Sequence, residues 1–377
     1  MVFLHRLPLL AESGPDWLRI LIGFDAAPQT AVNITLVLAG MLLITKGGDL
    51  FTDSAVAIAR ATRIPPVIIG ATIVSMATTF PEFMVSLTGT LSGSPDFAVG
   101  NALGSCCCNI GLIVGSCALL KGYLDRRRGA ADGIPASRVT LRGPGAFMLT
   151  AGAAVWLFSM FDSGGARLAG GEQPSPYGIA CWQGSLLVVL LVLYLVYSLR
   201  SALQARFESE LNTAEDEAEV EIREHILKTA VVFIIGAALV VLGSRLLVAN
   251  SGKLALDMGV PKLIVGLTVL AIGTSLPEYV ISLMAVIKGH GALGIGNIIG
   301  ANVLNICWVV ATCSLISPLP IRWQTVVLDG PAVLLLMILL PALAWKREQI
   351  APWMGGVLFG VYCAYLAVMF VFFGSGG

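Results

Sequence analysis

The sequence predicts an all-α polytopic membrane protein of ten transmembrane helices, arranged as two inverted five-helix repeats. Three observations carry that prediction. The 377 residues are 56% hydrophobic and only 12% charged, with a mean hydropathy of +0.87, whereas a soluble domain is nearer a quarter charged. The apolar residues gather into ten runs near the length of about 20 residues that a spanning helix needs. The chain also repeats itself. Pro65, Gly70, Thr72, Thr78, Pro81, Glu82, Ser86, Leu87, Gly93, Gly100, Asn101, Gly104, Asn109 and Ile110 recur identically at an offset of 196 residues, without a gap, so that Glu82 answers to Glu278. Self-similarity of this kind marks a duplication. Five spans per half is an odd number, so the second copy starts from the opposite side of the membrane and the halves are inverted, as in many secondary transporters.

In chain order, residues 1–30 read as an N-terminal extension. Arg6, Glu12, Asp16, Arg19 and Asp25 interrupt its apolar runs, which argues against a cleaved leader, and an interfacial helix is expected around Trp17–Phe24. The first repeat, 31–199, holds spans at 31–59, 65–91, 97–120, 145–161 and 179–199. An acidic cytoplasmic linker, 200–228, follows. The second repeat, 229–377, holds spans at 229–256, 261–287, 293–316, 326–345 and 353–373. Lys46, Asp49 and Asp53 on the first span are expected to reach the interface or to pair within their own helix. The linker carries Glu208, Glu210, Glu215, Asp216, Glu217, Glu219, Glu221 and Glu224. It has no EF-hand-like calcium loop, and a solvated helical linker is favoured over a cytosolic cation sensor.

Lysine and arginine are distributed unevenly between the two sides. Arg60, Arg63, Lys121, Arg126, Arg127, Arg128, Arg138, Arg142, Arg200, Arg206, Arg223, Lys228, Lys288, Lys346 and Arg347 fall in the odd-numbered loops. Only Arg6, Arg19, Arg167, Lys253, Lys262 and Arg322 fall on the other side. The positive-inside rule then puts the odd-numbered loops in the cytoplasm and both termini outside a cell (inner) membrane. Formal net charge is zero, so there is no basic footprint for nucleic acid; the expected surroundings are the lipid bilayer. The eight cysteines show no metal-binding spacing. Cys106, Cys107 and Cys108 are read as packing groups, since the equivalent positions are Asn302, Val303 and Leu304.

The duplicated core reads Thr78-Thr79-Phe80-Pro81-Glu82 in one copy and Thr274-Ser275-Leu276-Pro277-Glu278 in the other. A carboxylate in a membrane span is expensive and by default marks an ion path or a proton relay. Proline removes one helical hydrogen bond and clashes with the carbonyl four residues back, here Ala77 and Gly273, so each helix is expected to bend or unwind there. Thr78 and Thr79 lie four and three residues before Glu82, which puts hydroxyl and carboxylate on one helix face. Carboxylate, hydroxyl and freed carbonyl together make an all-oxygen shell, suited to hard cations such as Ca²⁺ and Na⁺. On the next span Asn101, Ser105 and Asn109 share a face, matched by Asn297, Ala301 and Asn305. Four helices, two per repeat, can thus surround one midplane site. Serine, threonine and asparagine in membrane helices also simply hold bundles together, and for Asn101 and Asn297 both readings stand. The expected cargo is cations, with no cofactor. No HExxH, Asp pair or Ser/His arrangement lies on the spans, so an enzyme is a poor fit. Inverted repeats with broken helices suit rocking gates better than a passive channel. A proton-coupled antiporter for Ca²⁺ or another divalent cation is the alternative, because a carboxyl removed from water can carry a proton.

At these residues the chain resembles the sodium/calcium exchanger family of calcium:cation antiporters, in a form without a large regulatory loop. That family's paired repeats read Gly-Thr-Ser-x-Pro-Glu, then Gly-Asn-x-x-Gly-Ser-Asn-x-x-Asn. Here the second copy reads GTSLPE and GNIIGANVLN, and the first ATTFPE and GNALGSCCCN. The resemblance covers both halves and implies alternating access, with Na⁺ entry driving Ca²⁺ export. It implies Glu82 and Glu278 as cation ligands, helped by Thr78, Thr79, Thr274, Ser275, Ser105 and Asn109, with Asn305 at the position equivalent to Asn109. Backbone oxygens of Ser75 and Ala271 complete the implied set. Thr79 stands where the family usually has Ser, Ala301 stands where it usually has Ser, and Cys106 replaces Asn. Asn305 occupies a position that is Asp in potassium-dependent relatives, which argues against a K⁺ requirement and leaves two carboxylates in the site. Thr78-Thr79 and Thr274-Ser275 depart from the Gly-Asn-x-x-Glu pattern of proton-coupled relatives, which favours Na⁺.

Overall fold

A computed structural model describes residues 29–128, 133–161, 175–212, 226–257 and 273–373. Ten helices carry them: α1 Gln29–Thr62, α2 Pro66–Leu91, α3 Asp96–Arg127, α4 Pro144–Phe158, α5 Cys181–Asn212, α6 Ile226–Asp257, α7 Leu276–Ile287, α8 Gly291–Ile316, α9 Thr325–Ala344 and α10 Pro352–Phe373. Among the described residues eight of them are long and apolar enough to cross a membrane; α4 and the described part of α7 are shorter. The spans read from hydropathy agree with these helices to within a few residues, except that α3 runs on to Arg127, beyond the expected end at Leu120, and α5 runs on to Asn212 and so makes the start of the linker helical. The expected N-terminal extension, the centre of the linker and the first part of the seventh span lie outside the described residues.

Two short antiparallel ladders report the relation between the halves. Strand β1 (Ile134–Pro135) precedes α4 and β2 (Gly178–Ile179) follows it; β3 (Leu319–Pro320) precedes α9 and β4 (Gln349–Ile350) follows it. Ile134 pairs with Ile350, and Gly178 with Pro320. The strand before α4 thus meets the strand after α9, and the strand after α4 meets the strand before α9. These equivalent helices of the two copies therefore run in opposite directions. Polar contacts respect the same two ends. Arg138 pairs with Glu348 at 3.2 Å and Lys288 with Asp53 at 2.8 Å at one end, and Arg322 with Asp96 at 3.7 Å at the other. Asp49 and Asp53 both turn to Lys288, beyond α7, rather than to Lys46 on their own helix as the sequence suggested. The ammonium of Lys288 also reaches the Asp49 carbonyl. Its three donors hold two carboxylates at once.

The main core is built from α3, α4, α5, α8, α9 and α10, with Ile110, Met148, Tyr194, Ile298, Leu336 and Leu358 fully buried. A second cluster joins α1, α2, α6 and α7 around Phe51, Val74, Val240 and Ile281. Small residues let the helices approach where no hydrophobic force would drive them together in lipid. α1 crosses α6 at Gly40 and Gly243, where an added Cβ on either glycine would lie 2.8 Å from the other's carbonyl oxygen. α2 crosses α8 more tightly: a Cβ on Gly296 would strike the Val67 carbonyl, and one on Gly300 the Ala71 carbonyl.

The prolines do not break both helices. α2 continues through Pro81 as helix, and a π-helical turn lies upstream at Gly70–Val74. In the other copy the helix is interrupted at Ser275 (φ −85°, ψ 6°), with Pro277 in the first turn of α7, where a missing N–H costs nothing. Pro81 is buried and held by its neighbours, and the Thr78 hydroxyl donates to the Ser75 carbonyl at 3.2 Å beside it. Local hydroxyls and widened turns of this kind help re-satisfy the backbone of a proline-containing membrane helix.

Candidate cation site

The site is assembled where α2 and α7 face each other with α3 and α8 beside them. Glu82 and Glu278 are fully buried, as are Thr79 and Ser75; Thr78 and Ser275 are nearly so. The contacts cross between copies. The Ser275 hydroxyl donates to Glu82 Oε1 at 3.5 Å, and the Thr79 hydroxyl donates to Glu278 Oε1 at 3.5 Å. Positions 79 and 275 are equivalents, so each carboxylate is met by the hydroxyl that precedes its counterpart by three residues. That reciprocity brings both acids to the same contact between the two copies. Thr78 donates to Asn297 Oδ1 at 3.2 Å.

A second reciprocal set ties these helices to α3 and α8. Asn101 donates to the Ser86 hydroxyl at 2.9 Å and to the Glu82 carbonyl at 3.4 Å; its equivalent, Asn297, donates to the Ser282 hydroxyl at 3.5 Å. Both asparagines thus brace the helix that carries the adjacent glutamate. Tyr194 of α5 donates to the Ala71 carbonyl, on the π-helical turn of α2.

What is left over matters most. Glu82 Oε2, Glu278 Oε2, Ser105 Oγ, Asn109 Oδ1 and Asn305 Oδ1 are buried and meet no protein donor. Even the bonds to the other carboxylate oxygens, at 3.5 Å, lie at the weak end of the range. A native membrane interior rarely leaves polar atoms so poorly matched, and ionised side chains at the bilayer centre cost roughly 3 kcal/mol each on insertion scales. Apart from the Asn305 amide nitrogen, the unmatched atoms on these residues are carboxylate, hydroxyl and amide oxygens, which is the donor set of a hard cation. Among the described residues no third His, Cys, Asp or Glu joins the two acids. Of the expected ligands, Glu82, Glu278, Thr79 and Ser275 meet across the two copies; Thr78 is bonded to Asn297 and Asn109 to Asn302; Ser75, Ser105 and Asn305 are buried, and Thr274 lies directly before the helix interruption. Ala271 lies outside the described residues. Cys106, Cys107 and Cys108 are buried free thiols among apolar neighbours.

A sequence profile described as "Sodium/calcium exchanger protein" matches residues 32–200 and 228–371. The chain belongs to the sodium/calcium exchanger family. It is therefore a cation exchanger of that family and not an enzyme. The exchanger is 34% identical over 338 residues to the inner membrane protein YrbG of Escherichia coli (strain K12), covering 89% of this chain and 96% of the relative. It is 27% identical over 359 residues to the sodium/calcium exchanger MaX1 of Methanosarcina acetivorans, covering 90% of this chain and 99% of that one. Among solved structures it is similar to the sodium-calcium exchanger NCX_Mj, in a crystal soaked with Na⁺ and no Ca²⁺. The TM-score is 0.72 and the identity 25%, over 90% of this chain and 99% of that one. With ten helices in two inverted repeats the exchanger shares that fold.

The sequence reading did not single out Asn302. The Asn109 amide donates to Asn302 Oδ1 at 3.0 Å, and the Asn302 amide donates to Met148 Sδ at 3.6 Å. The signal was present, since Asn302 is the residue equivalent to Cys106, but a position where the two copies differ does not stand out when identities are sought.

Proposed function

We propose that the exchanger carries out Na⁺/Ca²⁺ antiport by alternating access at one shared site near the bilayer midplane. The observation that carries this reading is the set of unmatched buried oxygens around two carboxylates, one from each inverted copy. Two carboxylates balance one Ca²⁺; with neutral oxygens to help, they also hold more than one Na⁺. Ions competing for the same ligands cannot both be bound, and that competition couples one flux to the other. In this reading Glu82 and Glu278 are the charged ligands. Thr78, Thr79, Thr274, Ser275, Ser105, Asn109 and Asn305 supply neutral oxygens, and the backbone of Ser75 and Ala271 supplies carbonyls. The sodium/calcium exchanger names of MaX1 and NCX_Mj support the choice of ions. The odd-numbered loops face the cytoplasm and both termini lie outside, on the strength of the lysine and arginine distribution.

The test is Ca²⁺ flux in proteoliposomes with the Na⁺, K⁺ and H⁺ gradients imposed one at a time. A Na⁺ gradient alone is expected to drive Ca²⁺ movement, with no need for K⁺. Full transport under a pH gradient in the absence of Na⁺ would replace Na⁺ coupling by proton coupling.

A further inference from the structure

The two copies differ at one contact inside the site. At the common offset of 196 residues, Asn109 is equivalent to Asn305, and Cys106 to Asn302. Asn109, Asn302 and Asn305 are all fully buried. In one copy the side chains form a chain of donors. The Asn302 amide nitrogen gives a hydrogen to Met148 Sδ, an acceptor that has nothing to donate in return. That turns Asn302 Oδ1 toward α3, where it accepts from the Asn109 amide nitrogen at 3.0 Å. With its nitrogen engaged, Asn109 is left presenting Oδ1, one of the unmatched oxygens. The equivalent contact in the other copy would run from Asn305 to the side chain at position 106. A cysteine stands there, without an amide oxygen, and its sulfur is directed to the Asn302 carbonyl at 3.8 Å. Asn305 accordingly has neither its nitrogen nor its oxygen matched.

We infer that Asn302 is a positioning residue for cation binding: with Met148 it locks the Asn109 amide so that its oxygen faces the ions, while Asn305, lacking such a partner, stays free to turn. The inference rests on the cation site proposed above and assigns its two neutral amides unequal parts. An amide has a right and a wrong face for a cation, oxygen or nitrogen, and nothing in Asn109 itself chooses between them. Groups that orient a ligand commonly matter to metal affinity by about 10- to 100-fold.

A double-mutant cycle in purified, detergent-solubilised full-length protein tests this, with Ca²⁺ binding read by equilibrium dialysis. Asn302→Leu is expected to weaken Ca²⁺ binding about tenfold or more. On an Asn109→Asp background the same change is expected to cost less than about threefold, because a carboxylate offers oxygen whichever way it turns. Asn302→Asp keeps an acceptor for Asn109 and is expected to bind Ca²⁺ no more than about threefold weaker than the parent. Should Asn302→Leu fail to fold, Asn302→Ala takes its place; should Asn109→Asp not bind, the contrast between Asn302→Asp and Asn302→Leu decides. Equal losses on both backgrounds, or equal losses for Asn302→Asp and Asn302→Leu, would assign Asn302 to packing alone and overturn the inference. Glu82→Gln in the same assay keeps the two readings apart: Ca²⁺ binding that survives it removes the site itself, whatever Asn302 does.

Discussion

Asn297 has two polar partners in the interior: it accepts from Thr78 and donates to Ser282, and it sits one helical turn from Ala301 on the face that leads to Asn305. Replacing it by Leu strips two hydroxyls of a partner without changing a charge. The expected loss is about 1 kcal/mol of stability, since hydrogen bonds between membrane helices are modest, and detergent-phase thermal unfolding would register it. At this scale the sequence was most informative where the copies agree. Glu82 and Glu278 stood out because an acid in a membrane span costs too much to be there without a charge to meet, and Thr78 and Thr79 by their spacing to Glu82; a ligand role for Ser275 came only with the family resemblance. It was least informative where the copies disagree. Asn302 and Cys106 acquire meaning only when the missing bond to Asn305 can be seen in three dimensions. The swing of Asp49 and Asp53 to Lys288 was equally hidden, because periodicity shows which residues share a helix and not which loop folds back to meet them.

Most helix boundaries were legible from hydropathy; the charged ends of α3 and α5, which carry the helix past its apolar run, and the helix irregularities were not. Pro81 and Pro277 have equivalent sequence contexts, yet one lies inside a continuous helix that follows a π-helical turn and the other opens a helix after a turn at Ser275. A proline announces that a backbone bond is missing; the neighbours decide where the chain gives way. The crossing of α2 and α8 makes a firmer prediction. Gly296→Val drives a branched side chain into the Val67 carbonyl, which belongs to backbone and cannot rotate aside. No folded protein is expected by size-exclusion chromatography. Gly300→Ala, directed at the Ala71 carbonyl and the Ser75 hydroxyl, is expected to fold with a loss of about 1–3 kcal/mol, read as a lowered unfolding temperature.

For the molecule as a whole, inversion is the property on which the shared site depends, and the ladders make it testable without a transport assay. Ile134 and Ile350 are direct partners across the β1–β4 ladder. Antiparallel partners sit about 4.5–5.5 Å apart between Cα atoms, inside the window of about 4.4–6.8 Å that a disulfide accepts. The pair Ile134→Cys and Ile350→Cys, in a background with Cys181 and Cys363 removed, should therefore crosslink under mild oxidation, while Ile134→Cys with Leu319→Cys should not. Parallel halves would reverse that pattern. The central claim, that one acid from each inverted copy shares the cargo, is met most directly by Na⁺-gradient-driven Ca²⁺ uptake in proteoliposomes of the parent protein, Glu82→Gln and Glu278→Gln. Both substitutions are expected to abolish uptake while leaving the protein folded and monodisperse. Uptake that persists at the parental rate in either one would contradict the account.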